Sequence, residues 1–155
     1  MSQYHLAQLN LGTPLYPLDD PRISAFVDAL ERINALAENS PGFIWRLKDE
    51  SDNATAIEVP GYPDTIFNLS VWQDFSAFRE FVYRSEHAQF IKRRKEWFRP
   101  METPPLMMWW VKVDEHPTLE DAIARYDQLC RSGPGQEAFT LGTMFAPPDL
   151  HTTQA

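Results

Sequence analysis

Three side chains that can bind or orient a small molecule occupy alternate positions in the chain: Asn68, Ser70 and Trp72. Residues 65–72 have the composition of a β-strand, in which successive side chains point to opposite faces. The three side chains therefore share one face, and the apolar side chains between them share the other. If helices pack on the apolar face, the polar face with its indole lines a cavity or meets a partner subunit.

A strand predicted over residues 5–11 also has amide side chains on one face, those of Gln8 and Asn10. These amides either complete hydrogen bonds at a sheet edge or interface, or line a ligand cavity. Arg46, in a short aromatic strand over residues 43–47, leaves a similar choice between a surface ion pair and an anchor for an acidic ligand. The sequence keeps these alternatives open.

The strand that holds Asn68 leads directly into a helix, for which Asp74 is placed as the capping residue. The helix pauses at residues 83–85 and resumes with His87. This histidine either packs against its neighbours or binds a ligand. The basic run Lys92–Lys95 that follows is either a solvated helix face or the source of one arginine that reaches a ligand carboxylate.

The elements that position these residues follow the order strand, helix, strand, strand, helix, strand, helix. Hydrophobic periodicity places the strands at residues 5–11, 43–47, 65–72 and 106–113, and starts the helices near residues 21, 74 and 118. Residues 138–145 form a short strand or an arm. This order predicts an α+β, ferredoxin-like split βαβ fold with an antiparallel sheet, helices on one side and an extra C-terminal helix.

The strand over residues 106–113 is apolar on both faces, which is typical of a sheet covered on both sides. The sheet face away from the helices is expected to carry Trp72, Leu6 and a tryptophan from the Trp109–Trp110 pair. Monomers avoid exposing an apolar patch of that size. The sequence therefore predicts a homodimer whose two sheets meet face to face.

Composition narrows the class of protein. The chain has 155 residues, 43% of them hydrophobic, and a net charge of −8, which predicts one domain over residues 1–146 and a flexible tail over 147–155. The negative charge disfavours nucleic acid and anionic membranes as partners. With one cysteine, no zinc or calcium ligand spacing, no signal peptide and no membrane span, a cytoplasmic location without a bound metal is expected.

The run FNLSVWQDFSAFREFVYRSEHAQFI, residues 67–91, resembles the central segment of antibiotic-biosynthesis-monooxygenase-like proteins. The segments PGFIWRL at residues 41–47 and RRKEWF at residues 93–98 are similar to those of an uncharacterised bacterial domain-of-unknown-function family within that superfamily. This resemblance spans nearly the whole chain. It implies a dimeric α+β barrel but assigns no activity, since one fold hosts many chemistries.

The superfamily resemblance implies three functions for the residues singled out above. The first is a monooxygenase-like enzyme that acts on an aromatic or polycyclic ligand without metal or flavin, with the Asn68 amide holding a substrate oxyanion and the Trp72 indole shaping the site. The second is a haem enzyme with His87 as iron ligand, since its helix resembles a haem-binding arrangement through Tyr83, Arg84, Arg94 and Trp97. The third is a non-catalytic ligand-binding dimer. Gln8, Asn10 and Ser70 would line the same cavity in each case.

Overall fold

The computed structural model describes residues 3–48 and 57–148 and contains one four-stranded sheet. Every neighbouring pair of strands is antiparallel, in the order β2-β3-β1-β4. The strands are β1 (Tyr4–Gly12), β2 (Phe43–Arg46), β3 (Ile66–Trp72) and β4 (Leu106–Lys112). This is the split βαβ arrangement, so the predicted α+β, ferredoxin-like fold is confirmed.

In the part of the chain that the structure describes, five α-helices accompany the sheet, and a 3₁₀ turn (Pro21–Ile23) precedes the first of them. They are α1 (Ser24–Glu38), α2 (Phe75–Arg84), α3 (His87–Lys92), α4 (Arg94–Trp97) and α5 (Leu119–Ser132). The predicted caps are present: the Asp74 carboxylate accepts a hydrogen bond from the Ala77 amide at 2.8 Å, and the Thr118 hydroxyl accepts one from the Asp121 amide at 3.1 Å. Both oxygens satisfy amides that the first helical turn leaves free.

The register of β1 against β3 brings the amide side chains of both strands together. Gln8 lies opposite Ser70, and Asn10 lies opposite Asn68. On the other side of β3, Arg46 of β2 also lies opposite Ser70. Residues opposite each other in a sheet point to the same face. We call the face that these side chains share the polar face, and the other the apolar face.

The helices α1 and α2 pack on the polar face, so the predicted packing on the apolar face is wrong. Phe78, Phe81 and Val82 of α2 and Ala37 of α1 pack together with Trp72 and with Leu6 and Met108. One end of the polar face is thus apolar enough to hold two helices. Alternation along a strand determines which side chains share a face, but it does not determine which face a helix covers.

The apolar face is covered by α5, the C-terminal helix. Ala122, Ile123, Tyr126 and Leu129 are buried there against the inner side chains of the sheet, among them Leu9, Leu69, Val71 and Trp109. Both faces of the sheet are therefore buried within one chain. The exposed face from which a homodimer was predicted is absent from the described residues, and the oligomeric state stays a prediction.

After α5 the chain returns along the outer edge of β4. Met108 and Phe139 exchange two backbone hydrogen bonds of 2.9 Å, and the Trp110 indole donates to the Phe145 carbonyl at 2.8 Å. The segment over residues 138–145 is thus an arm tied to the sheet by one bridge. Most of the predicted tail, residues 149–155, lies outside the described residues.

None of the helices formed by residues 3–48 and 57–148 is both long enough and apolar enough to cross a membrane.

Candidate functional site

A cavity of about 320 Å³ lies between the polar face of the sheet and helices α1 to α4. Its volume is at the lower end of the range typical of small-molecule sites. The predicted site residues that line it are Gln8, Asn10, Asn68, Ser70, Trp72, Tyr83, His87, Arg94 and Trp97. The fold therefore brings side chains from β1, β3 and three helices into one space.

The floor of the cavity is a hydrogen-bonded chain of four side chains that begins at Gln8. The Gln8 amide nitrogen donates to Asn68 Oδ1 at 2.5 Å and to Ser70 Oγ at 2.6 Å. The Trp72 indole nitrogen also donates to Ser70 Oγ, at 2.9 Å. Gln8, Ser70 and Trp72 are almost fully buried, whereas Asn68 is exposed.

These hydrogen bonds on the floor of the cavity determine which polar hydrogens remain for a ligand. The Asn68 oxygen already accepts from Gln8, so its NH₂ group is left to donate. Ser70 Oγ accepts two hydrogen bonds, so its own hydrogen is also left to donate. The floor therefore offers donors, which suit a ligand oxygen that carries or develops negative charge.

His87, the first residue of α3, is held in a defined orientation by its neighbours. Its backbone amide donates to Ser85 Oγ at 3.1 Å, and its ring nitrogen Nδ1 lies 3.4 Å from the Val82 carbonyl. The ring centroid is 4.9 Å from that of Phe81. Burial lowers the pKa of His87 below its ordinary value of 6.5. Burial thus favours the uncharged imidazole, and because a carbonyl only accepts, the contact with Val82 favours the tautomer that carries its hydrogen on Nδ1.

Both predicted tryptophans are packed by other rings. Trp72 stacks on Phe81 at 5.1 Å between centroids and meets Phe43 at 5.4 Å. Trp97 lies 5.7 Å from Phe26 and 5.6 Å from Phe90. The two indoles are fixed walls at separate positions of the cavity, because stacked aromatic neighbours restrict their rotation.

Arg94, at the start of α4, extends its guanidinium toward β1. Nη2 donates to the Leu11 carbonyl at 2.9 Å, and the group lies 5.0 Å from the Phe98 ring centroid. A Cβ atom on Gly12 would come within 2.7 Å of that ring and within 3.3 Å of Arg94 Nη2. Because Gly12 has no side chain, there is room beside it for the Phe98 ring and the Arg94 guanidinium.

Tyr83 and Arg84, which were both predicted to bind a ligand, lie in different positions relative to the cavity. Tyr83 lines the cavity at its open side and is 48% exposed. Arg84 does not line the cavity: its side chain is 73% exposed and lies 3.6 Å from the Glu80 carboxylate. A ligand in the cavity would not contact Arg84 in this position.

The open side of the cavity is closed in part by α3. This helix has six residues and buries none of them, although His87 at its start lines the cavity. An ion pair of 2.7 Å between Arg32 of α1 and Glu86 joins the two helices. Within the helix, Phe90 is half-buried and packs against Trp97.

Sequence reasoning missed the contribution of α1, to which it assigned no chemistry. Phe26, Ile33 and Asn34 of this helix line the cavity. Asn34 follows Leu30 by four positions and so lies within the apolar stripe of the helix. A polar residue inside such a stripe was the available signal. Arg46 also lines the cavity, buried, with Nε 3.6 Å from the Glu38 carboxylate.

The charge of the cavity differs from that of the chain. The sequence holds 22 acidic residues and 14 lysines and arginines. Among the described residues that line the cavity, none is aspartate or glutamate, while two are arginines and one is histidine. An acidic protein therefore encloses a space whose charged side chains are cationic.

The domain thus combines an α+β fold with a cavity that has polar side chains on one wall, and the sequence places it in a family. Residues 5–155 match the family described as a domain of unknown function, DUF3291, and the chain belongs to that family. A search of curated proteins found no match.

Solved structures with a similar fold include three bacterial proteins. A protein of unknown function from Nitrosomonas europaea is 14% identical, with 75% of this chain and 95% of that chain covered and a TM-score of 0.45. SnoaB, a cofactor-independent oxygenase from Streptomyces nogalater, is 15% identical, with 74% and 97% covered and a TM-score of 0.43. A Pseudomonas aeruginosa protein is 14% identical, with 72% and 95% covered and a TM-score of 0.46. These likenesses concern the fold alone.

Proposed function

We propose that the protein is an enzyme that binds a polycyclic phenol in the cavity and removes a proton from it with His87. The observation that carries this proposal is the state of the imidazole. Nδ1 faces the Val82 carbonyl at 3.4 Å, and burial lowers the pKa of the ring. His87 also lines the cavity, and a histidine that favours its uncharged form is a suitable general base.

The floor of the cavity supports the same chemistry. Removing a proton from a phenol or from a CH₂ group next to a carbonyl leaves negative charge on oxygen. The free NH₂ group of Asn68 and the free hydrogen of Ser70 can donate to that oxygen. Aromatic walls such as Trp72 and Phe81 suit a flat, fused-ring ligand.

The reaction class that we propose is oxygenation by molecular oxygen without metal or flavin. In an anthrone, His87 takes a proton from the CH₂ group between the rings, and the resulting anion reacts with O₂. One oxygen atom converts CH₂ to C=O, and the other leaves as water. The substrate supplies all four electrons, so no external reductant is needed.

Oxygen uptake with dithranol, a three-ring anthrone, tests this function. We expect catalysed uptake that falls about 100-fold in His87→Gln, because general base catalysis contributes roughly that much. A similar loss is expected in Asn68→Ala, since one oxyanion donor is worth about 100-fold or more. His116→Gln, which changes a histidine stacked on Trp45 outside the cavity, is the matched control. Uptake that is equal in His87→Gln and the wild type would contradict the proposal, and binding without uptake would leave a ligand-binding protein.

The haem alternative has less support. A ring nitrogen held by a backbone carbonyl is usual for metal-binding histidines, and this much fits His87. Of the two arginines that the haem resemblance offers to a propionate, Arg94 lines the cavity, whereas Arg84 is exposed. However, a cavity of about 320 Å³ is small for a porphyrin. A visible spectrum recorded before and after addition of haemin decides the matter, because a Soret band lost in His87→Ala would establish haem binding.

The predicted homodimer stays part of the proposal, without the reason first given for it. Both faces of the sheet are covered in one chain by α1, α2 and α5. An association of two chains would therefore use other surfaces, and light scattering at micromolar concentration tests it.

A further inference from the structure

We propose that the ligand of this cavity carries a carboxylate, or an equivalent fixed negative group, and that Arg94 binds it. This inference rests on the proposed function, because it concerns the same cavity, and it narrows the ligand from a polycyclic phenol to an anionic polycyclic phenol.

The hydrogen bonds of the guanidinium support this role. Arg94 has donors on three nitrogens, and the structure gives partners to Nη2 alone: the Leu11 carbonyl at 2.9 Å and the Met101 sulfur at 3.8 Å. Among the described residues, no carboxylate lies within 4.0 Å of this guanidinium to form an ion pair. Nε and Nη1 therefore remain available on a side chain whose position is already fixed by β1.

The neighbouring arginine shows the contrast. Arg93 precedes Arg94 by one position, yet it does not line the cavity and pairs with Glu96 through two hydrogen bonds of 2.9 and 3.1 Å. Such an exposed pair contributes little to stability. Arg94 is half buried, and a charge withdrawn from water without a partner is costly. A ligand carboxylate would offset that cost through a charge-assisted hydrogen bond, which a planar guanidinium makes well.

The position of Arg94 within the cavity determines where the negative group would lie. Trp72, which stacks on the same phenylalanine as His87, lies opposite Leu6 of β1. Arg94 contacts β1 at Leu11, five positions farther along the strand. The proposed base and the proposed anion anchor thus mark different levels of one elongated cavity. A fused-ring ligand could place its reacting group at one level and its carboxylate at the other.

The charge of the lining agrees with an anionic ligand. No acidic side chain among the described residues lines the cavity, in a chain whose net charge is −8. A ligand carboxylate there would meet arginine and amide donors and no fixed negative charge. For a neutral ligand, the absence of acidic side chains from the described lining would bring no such advantage.

Two dyes that differ by one group test the inference. Chrysazin is a dihydroxyanthraquinone, and rhein is chrysazin with one carboxylate added. Dissociation constants are measured by calorimetry or tryptophan fluorescence at pH 7, where the rhein carboxylate is ionised. We expect rhein to bind the wild-type protein about 10- to 100-fold more tightly than chrysazin, the usual contribution of a hydrogen bond between charged groups.

Variants of the two arginines distinguish loss of a contact between Arg94 and the rhein carboxylate from loss of the folded cavity. In Arg94→Gln the dissociation constants of the two dyes should become equal, so that the preference for rhein disappears, and thermal unfolding shows whether the variant is folded. In Arg94→Lys part of the preference should return, because the charge remains. Arg93→Gln, the matched control, should keep the full preference.

The outcomes distinguish this inference from the function on which it rests. Equal binding of the two dyes to the wild type, or a rhein preference that survives in Arg94→Gln, would overturn the carboxylate inference alone. Turnover of dithranol, which lacks a carboxylate, would then still support the proposed function. Failure of both dyes to bind would overturn the ligand class and the inference together.

Discussion

The side-chain nitrogen of Gln8 lies 2.6 Å from Ser70 Oγ and 2.5 Å from Asn68 Oδ1, although 62 and 60 positions of the chain separate these residues. One amide in β1 thereby orients two side chains in β3. Because its donor hydrogens are used within the sheet, Gln8 acts as a positioning residue for the groups that line the cavity.

Replacing Gln8 by methionine keeps the side-chain length but removes both donors. We expect Gln8→Met to lower the free energy of unfolding by about 1–3 kcal/mol, because buried polar partners are left unsatisfied. Urea unfolding measures this change. Gln89→Met, at an exposed position of α3, is the control and should unfold like the wild type. Equal stability of Gln8→Met and the control would show that the network does not hold the floor of the cavity.

The ionisation of His87 predicts a pH dependence of turnover. Burial lowers the pKa below 6.5, and a base must be unprotonated. We therefore expect kcat/KM with dithranol to rise with pH through a pKa below 6.5 and to level off above it. His87→Gln should remove this ionisation, and His116→Gln should retain it. An apparent pKa above 6.5 for the wild type would contradict the assignment.

The same histidine also predicts that the stability of the folded protein depends on pH. Its pKa is lower in the folded chain than in the unfolded chain, so the unfolded chain takes up the proton first as pH falls. The free energy of unfolding should therefore decline as pH decreases below about 6.5. Denaturant midpoints recorded from pH 8 to pH 5 should show a smaller decline in His87→Gln than in the wild type.

Gly12 provides a test of the space around Arg94. In Gly12→Ala the new Cβ would come within 2.7 Å of the Phe98 ring, which is buried. We expect a loss of about 1–3 kcal/mol of stability, as for other overpacked sites, and weaker binding of rhein. Gly135→Ala is the control, since a Cβ there meets nothing within 4 Å. If both variants match the wild type in melting temperature, the close approach at Gly12 is not required.

Because α5 covers the apolar face of the sheet, a charged side chain placed between them should destabilise the protein. Ile123 is 6% exposed, and Ile123→Asp would bury an unpaired carboxylate. We expect a loss of several kcal/mol and self-association through the uncovered sheet, measured by thermal unfolding and light scattering. Gln128→Asp, on the exposed side of the same helix, should leave both measurements unchanged. An Ile123→Asp protein as stable as the wild type would show that α5 does not close this face.

Much of the fold follows from local features of the sequence. Alternation gave the strands, and Asp74 and Thr118 marked the helix starts, because a capping oxygen acts on amides only a few positions away. The strand order follows from the order of elements. The faces chosen by the helices could not be predicted, because they depend on side chains from distant strands, such as Leu6, Trp72 and Met108, that meet only in the folded sheet.

In the candidate site, too, some features follow from local sequence and others depend on contacts between distant parts of the chain. Asn68, Ser70 and Trp72 could be grouped from their spacing, since a strand places alternate residues together. The link from Gln8 to Asn68 required the register of β1 against β3, which no single stretch contains. Arg94 could not be distinguished from Arg93 and Lys95 by composition, because its inward direction depends on the break between α3 and α4.

The helix that carries the proposed base has no fully buried side chain. Since the side chains of α3 are at most half-buried, its local unfolding exposes less apolar surface and costs less than unfolding of the sheet. Its amide hydrogens should exchange with solvent long before those of β1 and β3. A ligand that contacts His87 from within the cavity stabilises the closed helix, so slower exchange at residues 87–92 would report occupancy even for a compound that the protein does not transform.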